Sequence, residues 1–251
     1  MKEHEIAFPT KLSPAEQAWL RSKPFGTFDR AESQRNLADV ATFLALLARH
    51  APDAERIVEL GCGPGWLSLF LAQLGYTVTG FDLSPQMIAV AKEKAKQAGV
   101  AVTFVVADME APIALEPADR VDVVLIYDAL HHCQADEPAL RSAAQRLRPG
   151  GVLILAEPNR AHASDPAAVA ATKRFGVTER GLDAAALARS CRQVGFAQVW
   201  RYHASGQAFQ PRHEGLLETV RMLTYPVLAR FIFGAFQTRI WLVAQQPGGG
   251  A

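Results

Sequence analysis

Residues Val58-Glu59-Leu60-Gly61-Cys62-Gly63-Pro64-Gly65 run an apolar segment directly into a turn with glycine at three alternate positions. The segment 56–60 reads as a strand. Trp66, Leu67, Leu69, Phe70, Leu71 and Leu74 then supply the apolar face of a helix that begins at Pro64 or Gly65. Glycines in such a turn permit positive φ and leave no Cβ between the backbone and a ligand. Pro64 suits a first helical turn, where its missing N–H costs nothing. A second apolar run, 76–81, reads as a strand that delivers Asp82 at its carboxyl end. A carboxylate placed there accepts two hydrogen bonds from a ribose diol. Strand, glycine turn, helix, strand and acid together describe a nucleoside site at the C-terminal edge of a parallel sheet.

The dinucleotide fingerprint requires a glycine at its sixth position, for close helix–strand packing. Counting from Gly61, that position is Trp66. No lysine follows the glycines, so the phosphate-cradling P-loop pattern is absent as well. The run acidic-x-Gly-x-Gly-x-Gly, Glu59 to Gly65, with Asp82 after the second strand, resembles the first motif of the class I S-adenosylmethionine-dependent methyltransferases. The resemblance implies that Glu59, Gly61, Cys62, Gly63, Gly65 and Asp82 surround S-adenosylmethionine. It also implies that Asp108, after strand three, accepts from the adenine amino group while Met109 sits against the ring. Leu83, Met87 and Tyr127 complete the expected cofactor set, although apolar residues at 83 and 87 also suit a core, and Asp108 also suits a turn cap.

Beyond this motif, helical and strand patterns alternate. A helix is expected over 32–50, and Ser84 caps another through residue 98 with Pro85 at its first position. Strands are expected at 102–106, at 121–126 as a continuous apolar run buried on both faces, and at 151–156. A helix at 138–147 stops before Pro149-Gly150-Gly151, and another begins at Asp183 and ends at Gly195. Two last strands are expected at 197–202 and 238–244. The pattern reads as one doubly wound, mostly parallel α/β domain spanning 1–251. The resemblance implies seven strands in the order 3-2-1-4-5-7-6, with the seventh antiparallel. The core covers about 32–157 and 182–246, and helical cap insertions cover about 1–31, 158–181 and 204–237.

Methyl transfer from a sulfonium needs mainly alignment and exclusion of water. A hydroxyl acceptor also gains from a base within hydrogen-bond reach. The exit of strand four, Tyr127-Asp128-Ala129-Leu130-His131-His132, resembles the "LHH" segment of ubiquinone- and menaquinone-biosynthesis-type methyltransferases. His131 and His132 are therefore the candidate bases, with His132 preferred because adjacent side chains diverge; a histidine bonded to a neighbouring loop is the structural alternative. Glu157, at the end of strand five, is a third candidate, or a cap. No metal site is expected, because His131, His132 and Cys133 are too close in sequence to surround one ion. Trp19, Phe25 and Phe28 with Arg30 are candidates to cover the cofactor, or simply to pack.

A net charge of +1 gives no basic field for nucleic acid. The strand-four exit also lacks the Asp/Asn-Pro-Pro-aromatic motif of many amino and nucleobase methylators, which counts against N-methylation of DNA, and a small or lipid-linked acceptor methylated at oxygen or carbon is expected. Cys62, Cys133 and Cys191 form no CxxC pair, consistent with reduced thiols, and no secretory signal is visible at the N-terminus, so a cytoplasmic location is expected. Apolar residues and arginines mix over 214–236, which reads as a helical cap, a homodimer face or a peripheral membrane contact. Two rival functions remain: a regulatory module that binds S-adenosylmethionine without turnover, and a nicotinamide-dependent oxidoreductase, which Trp66 disfavours.

Overall fold

The computed structural model describes residues 2–25, 29–111, 119–202 and 239–249. Seven strands form one sheet in the order β3-β2-β1-β4-β5-β7-β6. The strands are β1 (Arg56–Leu60), β2 (Thr77–Asp82), β3 (Thr103–Val106), β4 (Val121–Tyr127), β5 (Leu147–Pro158), β6 (Gln198–Tyr202) and β7 (Arg239–Gln245). The first five pair in parallel, while β7 runs antiparallel to both β5 and β6. This is the order and strand direction that the resemblance implies.

The side-chain period of two divides the central strands between two cores. On one face Leu60, Ile126, Leu153 and Leu155 pack beneath α6 (Asp136–Arg146) and α8 (Ala184–Gln193). On the other, Ile57, Val123, Leu125 and Ile154 meet α3 (Arg30–His50) and α4 (Trp66–Gln73). In β4 every residue but Asp122 is buried, which explains its unbroken apolar run. The helix α5 (Pro85–Ala98) begins as expected: the Ser84 hydroxyl accepts from Met87 N, Pro85 opens the first turn, and Gly99 closes the helix at φ 64°.

Several boundaries differ from the sequence reading. The helix after the glycine turn starts at Trp66, with Gly65 as its N-cap at φ 74°, so Pro64 lies before the cap rather than inside the first turn. Leu74 is its C-cap and is exposed. Strand β5 starts at Leu147, four residues before the expected 151. Two steps along β4, from Val121 to Val123, answer five along β5, from Leu147 to Val152. The Pro149-Gly150-Gly151 turn therefore becomes an irregularity inside the strand. It is fastened by Gly150 N donating to Pro247 O and by Arg148 pairing with Asp122.

Two of the three expected insertions fall on described residues. The first holds α1 (Lys2–Ala7), a 3-10 turn Phe8–Lys11, and α2 (Pro14–Ser22) with a capping box between Ser13 and Glu16. The second holds a 3-10 turn Arg160–Ser164 and α7 (Pro166–Phe175). They meet in a small apolar cluster of Leu12, Leu20, Met87, Phe175 and Val177. The third insertion, 204–237, lies outside the described residues. Among the described residues no helix is long and apolar enough to cross a membrane.

Truncating a central-strand side chain tests this division of the core. Leu125→Ala is expected to cost about 2–5 kcal/mol of unfolding free energy, against less than about 0.5 kcal/mol for Leu74→Ala, read from the denaturant midpoints of the two variants.

Candidate active site

Parallel strands end together, so β1, β2 and β4 deliver their following residues to one edge of the sheet. A cavity of about 340 Å³ opens there. The three motif glycines hold φ of 75°, 51° and 74°, a region costly for residues with a Cβ. Their surroundings separate their roles. A Cβ on Gly61 would stand 2.3 Å from the Ala129 Cβ, and one on Gly65 would stand 2.7 Å from both Ala91 and Phe104. These two glycines let the turn pack against the β4 exit and against α5. A Cβ on Gly63 would meet nothing within 4 Å, and Gly63 lines the cavity. Here the backbone is bare toward a ligand.

Asp82 sits beside it. Its Oδ2 accepts from Gly63 N at 2.8 Å and its Oδ1 from Ser84 N at 2.8 Å. Burial raises its pKa, and those two hydrogen bonds oppose the rise. Gly61 N and Cys62 N both donate to Phe81 O, which fixes the turn to the end of β2. Of the remaining expected cofactor residues, Glu59, Cys62, Leu83, Met87, Met109 and Tyr127 all border the cavity. Burial pushes Glu59 up to about 8, and it accepts from the Ser68 hydroxyl. The Tyr127 hydroxyl donates to Asp39, and its ring stands edge-on to Trp66. Gly65, in contrast, lies among packing residues behind the cavity wall.

Asp108 also borders the cavity, but it is engaged from an unexpected direction. Lys2 of α1 pairs with it at 2.5 Å and with Glu110 at 3.1 Å. The N-terminal segment contributes Lys2, Glu5, Phe8, Trp19, Leu20 and Lys23 to the cavity wall. Trp19 borders the cavity and also packs against the cluster of Leu12 and Leu20, so the covering and packing alternatives both fit its place. Phe25 is 62% exposed and Arg30 is exposed at the start of α3, so neither covers the site, and Phe28 lies outside the described residues. Lys2, Glu5 and Lys23 carried no local signal in the sequence. Neither did Asp128, held at φ 49° by a bidentate pair with Arg239 of β7 (2.7 and 2.9 Å).

The three candidate bases occupy very different places. Glu157 is fully buried and does not open toward the cavity. Its Oε1 accepts from Ala129 N and Leu130 N, and its Oε2 from His131 N and His131 Nδ1. A carboxylate so occupied has no free position for an acceptor's proton, which corrects the expectation of Glu157 as a base. His131 is likewise buried. Burial opposes its charge, but its hydrogen bonds to Glu157 and Glu179 outweigh that and raise it to about 10, so at neutral pH it is an imidazolium with no lone pair. That corrects His131 as well.

His132 lines the cavity and keeps 35% of its side chain accessible. Its Nδ1 donates to Thr178 O at 2.7 Å, which assigns the proton to Nδ1 and leaves a lone pair on Nε2. Burial, then the His131 charge, lowers it to about 4, so the ring is neutral. Glu179, lowered to about 2 through its bonds to the histidines, pairs with His162 at 2.7 Å. The ligand-capable atoms of His131, His132 and Glu179 lie within 4.8 Å of one another. The sequence argument against a metal considered Cys133 in the place of Glu179. The bonds from His131 and His162 to Glu179 account for this cluster as an ion-pair network.

The sheet order, the glycine turn and the acid at the end of β2 are similar to those of the class I S-adenosylmethionine-dependent methyltransferases. Residues 58–155 match a family model described as a methyltransferase domain. Among curated relatives, the ubiquinone biosynthesis O-methyltransferase of Xanthomonas axonopodis pv. citri is 37% identical over 122 residues, which is 49% of this chain and 51% of the relative. That of Methylobacterium nodulans is 41% identical over 109 residues, 43% of each chain. The chain thus spans about half the length of the curated relatives it matches. Magnesium protoporphyrin IX methyltransferase (ChlM) from Synechocystis PCC 6803, solved with bound SAH, shares the fold at a TM-score of 0.63 and 19% identity, over 98% of this chain and 99% of that one. The [4+2]-cyclase SpnF does so at 0.61 and 18%, over 99% and 96%.

The glycine geometry predicts opposite profiles for two variants. Gly65→Ala is expected to lower unfolding free energy by more than about 2 kcal/mol, through left-handed strain and overpacking together. Gly63→Ala is expected to lose about 1–2 kcal/mol from strain alone, while S-adenosylhomocysteine titration shows the larger loss of affinity.

Proposed function

We propose that this chain transfers the methyl group of S-adenosylmethionine to a small or lipid-linked acceptor, at oxygen or carbon, with a hydroxyl oxygen favoured. One observation carries the reading: a single cavity is bordered both by the bare Gly63 peptide and Asp82 and by a neutral histidine with a free lone pair. The match to O-methyltransferases over half the chain supports oxygen as the acceptor atom. A shared fold alone would not, since one similar structure is named as a cyclase.

When bound, the cofactor supplies an electrophilic methyl carbon on a positively charged sulfur. In this reading Asp82, whose two oxygens are already oriented by Gly63 N and Ser84 N, accepts from the ribose hydroxyls. Asp108 accepts from the adenine amino group, sharing its carboxylate with Lys2, while Leu83, Met87 and Met109 pack on the adenosine. Glu59, Gly61, Cys62 and Tyr127 border the remainder. His132 Nε2 then draws the proton from the acceptor hydroxyl. Glu157 and His131 act on the chemistry through position, by fixing the turn from which His132 projects.

A cavity bordered by more carboxylates than lysines and a net charge of +1 favour a metabolite over nucleic acid. The reading includes a cytoplasmic location, a homodimer, and a peripheral membrane contact through residues 214–236, which lie outside the described residues. Sedimentation of the full chain with anionic vesicles tests the last of these, and protein left wholly in the supernatant removes it.

Calorimetric titration with S-adenosylhomocysteine tests the core of the reading. Asp82→Ala is expected to weaken binding by at least about tenfold, the loss of a hydrogen bond to a charged group, with an unchanged circular dichroism spectrum. His132→Gln is expected to keep that affinity within about twofold and to lower turnover by about a hundredfold. Unaltered affinity in Asp82→Ala contradicts the ribose contact.

A further inference from the structure

The N-terminal helix α1 brings a carboxylate to His132, the one histidine among the described residues that borders the cavity. Glu5 Oε1 accepts from Thr178 N at 2.6 Å, and the same residue's carbonyl receives His132 Nδ1 at 2.7 Å. Glu5 and His132 are thus clamped to the two backbone groups of Thr178. The second Glu5 oxygen, Oε2, lies 3.8 Å from His132 Nδ1. Among the described residues it holds no closer ion pair. Both side chains border the cavity.

The other charges around His132 are already committed. His131, its neighbour in the same turn, stacks at 4.0 Å between ring centroids and bears a positive charge that opposes a second one. Glu157 of β5 is saturated by the turn's amides and by His131. Glu179, beyond α7, is shared by His131 and His162. Glu179 and Glu157 favour a proton on His132 but share their oxygens with other donors, and Glu5, whose pKa burial raises, adds a further carboxylate within ion-pairing distance.

We propose that Glu5 is a positioning residue for methyl transfer, completing a Glu5–His132 pair that exists only while α1 is seated on the cavity. This rests on the reading that the acceptor hydroxyl meets His132. In the step, the hydroxyl O–H bond breaks and its proton moves to Nε2. The oxygen's electron pair forms the bond to the methyl carbon, and the carbon–sulfur pair stays on sulfur as a neutral thioether. The imidazolium, with Nδ1–H held by Thr178 O and its charge balanced by Glu5, later returns the proton to water. The seat of α1 is built from contacts to both halves of the site. Lys2 pairs with Asp108 and Glu110, and His4 bonds Gly176 O.

The test is the titration of His132 in the full chain saturated with S-adenosylhomocysteine. It is followed by long-range proton–nitrogen NMR of the imidazoles, with the signal assigned by its loss in His132→Gln. Glu5→Gln keeps an oxygen for Thr178 N and so retains the anchor of α1. It is expected to lower the His132 midpoint by about one pH unit, the effect of removing one adjacent negative charge from a partly buried imidazole. The same comparison on a His131→Gln background, where the neighbouring positive charge is gone and the midpoint stands higher, brings the shift into a range where the fold is secure. A shift of that size in either background supports the pair, and an unmoved midpoint in both overturns it. Failure to bind S-adenosylhomocysteine at all would instead remove the cofactor reading. Loss of binding confined to Glu5→Gln would show that Glu5 only anchors the helix, which also overturns the proposal.

Discussion

The Glu157 carboxylate governs the shape of the whole C-terminal edge of the sheet. A buried acid is expensive unless its lone pairs are filled. Here four donors from three consecutive residues fill them, and those residues are the turn that follows β4. Strand β5 thereby dictates the path of its neighbour beyond the last ladder hydrogen bond. Everything on that turn follows from it: the buried imidazolium of His131, the His132 ring stacked against it, and the approach of Ala129 that only a glycine at position 61 can admit.

The strand–turn–helix–strand unit that ends at Asp82 was legible in the sequence because its physics is local. Glycines at 61, 63 and 65 adopt the left-handed region that no side chain there would favour, and the apolar run of β4 announced a strand covered on both faces. Local capping chemistry also read true at Ser84 and Asp183, each accepting from a backbone N–H of the helix it opens. Where local signals misled, a tertiary pairing had overridden them. Pro149-Gly150-Gly151 has the composition of a strand boundary, yet the Pro247 carbonyl, accepting from Gly150 N, and the Asp122–Arg148 pair carry the strand through it.

The walls of the cavity were far less legible. Lys2 finds Asp108 across 106 positions of sequence, and Glu5 finds Thr178 across 173. No periodicity encodes such meetings. The roles of the paired histidines were equally hidden, since adjacent and chemically identical side chains acquire different charge states, the first from its carboxylate partners and the second from burial beside that charge. Adjacency said that they would diverge, whereas their rings stack at 4.0 Å between centroids. It could not say that the first would be a fixed cation and the second a neutral ring.

The span that the family model matches encloses only part of the cavity, and segments outside it supply the rest of the wall. Residues 58–155 carry the glycine turn, Asp82 and Asp108, whereas Lys2, Glu5, Phe8, Ala171, Val177 and Glu179 come from outside that span. Inheritance can therefore act on the two separately. Drift in the terminal pieces would reshape what the pocket admits while the adenosyl seat stays as it is, so kinship measured over the central hundred residues speaks to the methyl donor and is silent on its recipient.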